Sequence, residues 1–198
     1  MTWVKVCGLT RRDDVEAAVD SGADAVGFVL APDSPRRVDL DTARDLGRGI
    51  PAVRVLVVVD VSAEEALEAI KVTGAEAVQL HGEGALAAAR TVLAAGAMVL
   101  LASPPGAQLG PAVPGQIPII DNRKAGMHGG SGEAFDWSLA EGITQRFVLA
   151  GGLGPDNVVE AIMRTRPWGV DASSRLESAP GVKDHGMVHR FVQEAKRA

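Results

Sequence analysis

The chain has 198 residues, 46% of them hydrophobic and 23% charged, with a formal net charge of −5. That length suits one domain, 1–198, with enough chain to bury a full core, and the acidic balance argues against nucleic acid as a bulk electrostatic partner. A single cysteine permits no internal disulfide and nothing resembles a Cys/His zinc framework. The longest apolar runs, such as 25–31, have strand length and fall far short of a membrane span. The opening Met1-Thr2-Trp3-Val4-Lys5 shows no charged and then apolar leader, so a reducing cytoplasm is the expected setting.

In chain order, short apolar runs alternate with helix-like stretches. Strands are expected at Trp3–Cys7, 25–30, Val53–Val59, 77–80, 97–102, 117–121, 147–150 and Gly169–Ala172. Several are continuous apolar runs rather than strict alternations, as strands covered on both faces should be. Helical patterns fall at 13–21, where Val15, Ala18 and Val19 share a face, and at 41–49. Ser62 with Glu65 three residues on is a capping box that opens a helix to about Thr73. Alanine-rich 82–95, then 157–165 and 184–198, follow.

Strand and helix in eightfold alternation is the signature of a closed (β/α)8 barrel, in the α/β class, with an open doubly wound sheet as the other arrangement. The chain is short for the barrel, which usually takes about 250 residues. The saving is visible in 103–116, where Pro104, Pro105, Pro111 and Pro114 leave the fifth helix reduced or absent.

In such a barrel the strand carboxyl ends and the loops after them carry the chemistry. The polar residues there are Cys7 after strand one, Arg36 after strand two, Asp60 after three, His81 after four and Asp121 after six. Asp60 reads as structural. Gly151-Gly152 follow strand seven, and Ser173-Ser174-Arg175 follow strand eight. Glycines that admit a close backbone approach, paired with small hydroxyl residues one unit later, are the usual phosphate cradle of this fold. The segment 122–134, with Arg123, Lys124, His128 and several glycines, reads as a mobile cover over the mouth.

Together the stretches Val4-Lys5-Val6-Cys7-Gly8-Leu9-Thr10, Ser34-Pro35-Arg36, Gln79-Leu80-His81-Gly82, Ile120-Asp121, Gly129-Gly130-Ser131-Gly132 through Phe135-Asp136-Trp137, Gly151-Gly152-Leu153 and Asp171-Ala172-Ser173-Ser174 resemble phosphoribosylanthranilate isomerase of tryptophan biosynthesis. The resemblance covers nearly the whole chain. It implies an Amadori rearrangement of a small phosphosugar substrate, with no metal, no organic cofactor, no nucleic acid and no membrane, by a monomer or a homodimer. It assigns Cys7 as general base and Asp121 as general acid, Arg36 to the anthranilate carboxylate with His81 nearby, and Gly151, Gly152, Ser173 and Ser174 to the phosphate. Two departures stand out: Arg175 replaces the glycine usual after the two serines, and Val99-Leu100-Leu101-Ala102 lacks the lysine often found late in strand five. The related histidine-pathway or dual-substrate aminoaldose isomerases carry an aspartate where Cys7 stands, which argues against them. Arg175 is the best motive for the remaining alternative, a non-catalytic phosphate-binding barrel.

Overall fold

The computed structural model describes residues 1–106, 109, 115–121 and 136–198. Eight parallel strands close in chain order, with β1 (Trp3–Cys7) pairing both β2 (Ala25–Val29) and β8 (Gly169–Ala172). Between them run β3 (Val53–Val59), β4 (Ala77–His81), β5 (Met98–Ser103), β6 (Gln116–Ile120) and β7 (Val148–Leu149). The helices are α1 (Arg12–Asp20), α2 (Leu40–Gly47), α3 (Ala63–Thr73), α4 (Ala85–Ala94), α5 (Val158–Thr165) and α6 (His185–Arg197). The closed (β/α)8 barrel read from the sequence is the observed fold.

Partners in a parallel register share a face, and the register separates the barrel's inside from its outside. Lys5 is level with Ala25 and Asp171, Cys7 with Gly27, Val57 with Gln79, and Ala102 with Ile119. The inward set packs on itself: Ala25, Val55, Ala77, Leu100, Ile117, Ile119, Val148 and Ala150 form one buried cluster. The opposite parity, including Val4, Val6, Phe28, Leu56, Val78, Leu149 and Val170, packs with helix residues such as Val15, Ala66, Ala89, Ala161 and Phe191 into the larger core. At the amino end of the strands Trp3 stacks on Trp168 with ring centroids 4.8 Å apart, and the Arg146 guanidinium lies 3.5 Å over Trp168.

Local signals placed several boundaries. The Ser62–Glu65 capping box is formed in both directions and opens α3. Asp184 accepts from the Met187 N–H and opens α6. Helix α2 begins earlier than its apolar pattern indicated, because Asp39 is the cap and accepts from the Thr42 N–H. Helix α4 begins later, at Ala85, since Gly82 turns with φ of +100°. No helix falls among the described residues of 103–116; residues 107, 108 and 110–114 lie outside them, as does all of the expected cover at 122–134. A short 3-10 turn (Trp137–Ala140) precedes β7, with Asp136 accepting from the Ser138 N–H. Between β8 and α6 lie a second turn (Ser174–Leu176) and an antiparallel hairpin, β9 (Glu177–Ala179) with β10 (Val182–Lys183).

Candidate active site

The carboxyl ends of the strands surround one cavity, lined by Cys7, Arg36, Gln79, Asp121, Gly151, Gly152, Asp171, Ser173 and Ser174, with apolar wall from Val29, Ala31, Ala150 and Leu153. Most of the residues chosen from the sequence therefore meet in one place. His81 does not line the cavity: it is buried at the end of β4 and reaches it through Gln79, with Nε2 of one 2.8 Å from Nε2 of the other. Asp60 is structural as read; its Oδ1 accepts from the Glu83 N–H.

Cys7 comes from the inward face of β1, beside Lys5 two residues earlier. Gly27 on β2 makes room for both. A Cβ at Gly27 would stand 2.8 Å from Cys7 Sγ and 3.1 Å from Lys5 Cε. The Lys5 side chain is wholly buried, and its ammonium donates to Gln79 Oε1 at 2.9 Å and to Asp171 Oδ1 at 3.0 Å. Because the Gln79 carbonyl faces Lys5, its amide N–H is left for His81, whose Nε2 accepts. Burial pushes the Cys7 thiol up, and the Lys5 ammonium opposes that rise. Burial likewise raises the Asp171 carboxyl, against the pull of Lys5. For Lys5 burial favours loss of the proton, but Asp171 and Cys7 outweigh it and hold the proton on.

A second polar cluster fixes Arg36. Its Nε and Nη2 donate to the two carboxylate oxygens of Glu177 at 2.7 and 2.8 Å, a two-pronged clamp from the hairpin after β8. Lys183, on the other strand of that hairpin, donates to Glu177 Oε1 at 2.8 Å and to the Ser173 carbonyl at 3.1 Å. Burial pushes the Glu177 carboxyl up, yet the hydrogen bonds from Arg36 and Lys183 win and hold it below the usual range.

The two glycines after β7 both have positive φ, +82° at Gly151 and +71° at Gly152, which L side chains adopt only with strain. Asn157 braces that loop: its amide donates to the Gly152 carbonyl at 2.9 Å and its carbonyl accepts from the Gly154 N–H at 2.8 Å. Arg175 is not part of the cavity wall. It lies against Gly154, with its guanidinium 3.8 Å from Asp156, and its φ is not left-handed. Arg175 thus adds no cation to the cavity lining and needs no unusual backbone. Among the described residues, no group of three or more His, Cys, Asp or Glu side chains is placed to hold a metal ion.

Lys5, Asp171, Gln79, Glu177, Lys183 and Asn157 were not singled out from the sequence. A charged residue inside each of two buried strands, Lys5 and Asp171, was the available signal.

A family model described as N-(5'phosphoribosyl)anthranilate (PRA) isomerase matches residues 4–194. The N-(5'-phosphoribosyl)anthranilate isomerase of Rubrobacter xylanophilus is 40% identical, over 99% of this chain and 100% of its own. Among solved structures, phosphoribosyl anthranilate isomerase from Thermotoga maritima superposes with a TM-score of 0.87 at 35% identity, covering 100% of both chains. A phosphoribosyl anthranilate isomerase in complex with reduced 1-(o-carboxyphenylamino)-1-deoxyribulose 5-phosphate gives 0.84 at 33% identity, again over 100% of both.

Proposed function

Because the chain belongs to the N-(5'-phosphoribosyl)anthranilate isomerase family of tryptophan biosynthesis, we propose that it isomerises that substrate by an Amadori rearrangement, with Asp121 as general acid and Cys7 as general base. The carboxyl of Asp121 gives a proton to the furanose ring oxygen as the C1–O bond breaks and the anilino nitrogen forms a Schiff base. The resulting iminium acidifies the hydrogen on C2, and the Cys7 thiolate takes it. The enolamine then tautomerises: C1 gains a proton as the C2 hydroxyl loses its own, which returns Cys7 to thiolate and Asp121 to acid and leaves a ketone at C2 and a CH2 at C1, 1-(2-carboxyphenylamino)-1-deoxyribulose 5-phosphate.

The observation that carries this reading is that Cys7 and Asp121, from strands on different sides of the barrel, line one cavity with Gly151, Gly152, Ser173 and Ser174. The last two loops hold the phosphate, with backbone close enough to a bound oxyanion because two residues in a row have no side chain. Arg36, locked by Glu177 along one edge of its guanidinium, offers its remaining N–H groups to the anthranilate carboxylate. The ligand is a small phosphosugar, with neither nucleic acid nor membrane in the reaction. A monomer and a homodimer both fit this reading, and a reducing cytoplasm suits a catalytic free thiol.

The test is an assay of the purified protein on N-(5'-phosphoribosyl)anthranilate. Turnover is expected in the wild type. In Cys7→Ala and Asp121→Asn it should fall by about 10²- to 10⁴-fold with the fold intact. Full activity in Cys7→Ala would remove the assigned base.

A further inference from the structure

A lysine with no exposed side-chain surface is a costly thing to keep inside a barrel. Nothing in the proton relocation just described uses Lys5. It is also not a surface charge trapped by accident: β1 aims it inward, two residues before Cys7, and Gly27 leaves the space that both side chains enter. Its ammonium is held between Asp171 on β8 and Gln79 on β4.

We propose that Lys5 is the positioning residue that makes Cys7 usable as a base, its ammonium supplying the buried positive charge that the thiolate needs while Asp171 and Gln79 keep it aimed at the sulfur. The inference rests on Cys7 being the base, and it concerns a different group with a different readout. The charged groups around the sulfur act in two directions. Lys5 on the same strand and Lys183 on β10 favour the thiolate, while Asp171 on β8 disfavours it. Asp121, after β6, disfavours the charged form of Asp171. Gln79 on β4 is neutral and fixes the ammonium; His81 is tied to the far side of that amide. Lys5 contributes the largest favourable charge among these, and burial is what it has to offset.

Two substitutions then move the sulfur in the same direction by different amounts. Lys5→Met removes the cation and must raise the pH at which the thiolate forms. Gln79→Leu leaves every charge in place and removes only a neutral group that aims the ammonium, so it must raise that pH by less. A residue that only holds strands together would not shift the thiol in this order.

The thiolate can be followed directly by its ultraviolet absorbance across a pH series. Cys7 is the only thiol in the chain and there is no tyrosine to ionise in the same range, so Cys7→Ala supplies a clean blank. The expected result is a midpoint above wild type in both variants, higher in Lys5→Met than in Gln79→Leu. The turnover profile against pH should move the same way, and kcat of Lys5→Met at pH 7 should be down at least about tenfold. If Lys5→Met does not fold, Gln79→Leu decides alone, and a midpoint unchanged or lowered in that variant overturns the proposal. An unshifted thiol in folded Lys5→Met overturns it as well, whether or not Cys7→Ala is inactive. A raised thiol midpoint with an unmoved turnover profile would uphold the link between Lys5 and Cys7 and discard Cys7 as the base.

Discussion

At the amino end of the strands the barrel interior is closed by stacked rings, Trp3 on Trp168 with Arg146 laid over the second. At the carboxyl end the same inward face carries Lys5, Cys7, Gln79 and Asp171, then opens into a cavity. The two ends obey one alternation of side chains, yet they are filled by different physics. The closed end buries aromatic surface and adds to stability. The open end buries an ammonium and a carboxylate, and such a pair does little better than break even against well-packed apolar residues. Stability and chemistry are thus separated along the barrel axis by about the length of a strand.

That separation can be broken most visibly at the closed end. Trp168→Ala should cost about 3 kcal/mol of unfolding free energy, since it removes one ring of a stacked pair and the seat of Arg146. Its kcat and KM at low temperature should stay near wild type. Denaturant melts beside steady-state kinetics measure both, and a large kinetic defect would mean the ends are coupled.

At the open end the expected effects are kinetic and smaller. Arg36→Lys keeps the charge but loses the fork that Glu177 grips on one side and the carboxylate would meet on the other. KM should rise about tenfold with kcat within about threefold, the mark of a group that binds ground and transition states alike. An equal fall in kcat would move Arg36 into the reacting geometry.

The smallest effect separates the two ends by pH. Glu177 is held below the usual carboxyl range once the hydrogen bonds from Arg36 and Lys183 overcome burial. A lowered folded-state value stabilises above the unfolded value, about pH 4.3 for glutamate, and that contribution disappears as pH falls through the folded one. The stability gap between wild type and Glu177→Gln should therefore narrow below about pH 4. Urea unfolding at pH 7 and on the acid side reads the gap; a constant gap would mean that the clamp holds no ionisation free energy.

Much of this architecture was legible in advance because its causes are local. The parity of Val4, Val6 and Cys7, the Ser62–Glu65 box and the apolar runs of β2 and β3 depend on neighbours in the chain. That Cys7 and Asp121 would line one cavity could be read because the fold, once recognised, says where strand ends go. Lys5 with Asp171 and Arg36 with Glu177 could not, since their partners stand 166 and 141 residues away and meet only when β8 closes on β1. The hairpin of β9 and β10 was missed for another reason: strands of three and two residues are too short for any period to show. His81 lies one hydrogen bond back from the cavity lining, because β4 ends with Gln79 and His81 on the same face and sequence does not rank them by depth. The cover expected at 122–134 lies outside the described residues.

Asn157 joins two things that a barrel could have kept apart. It is the residue on which α5 begins, and its side chain also grips the turn at Gly152. Unwinding the first turn of α5 therefore loosens the glycine turn in the same event. Heat or denaturant that frays this one helix end reaches the cavity-lining turn at Gly152 long before the strands part, so a change at the cavity is the early sign of damage and loss of the barrel the late one.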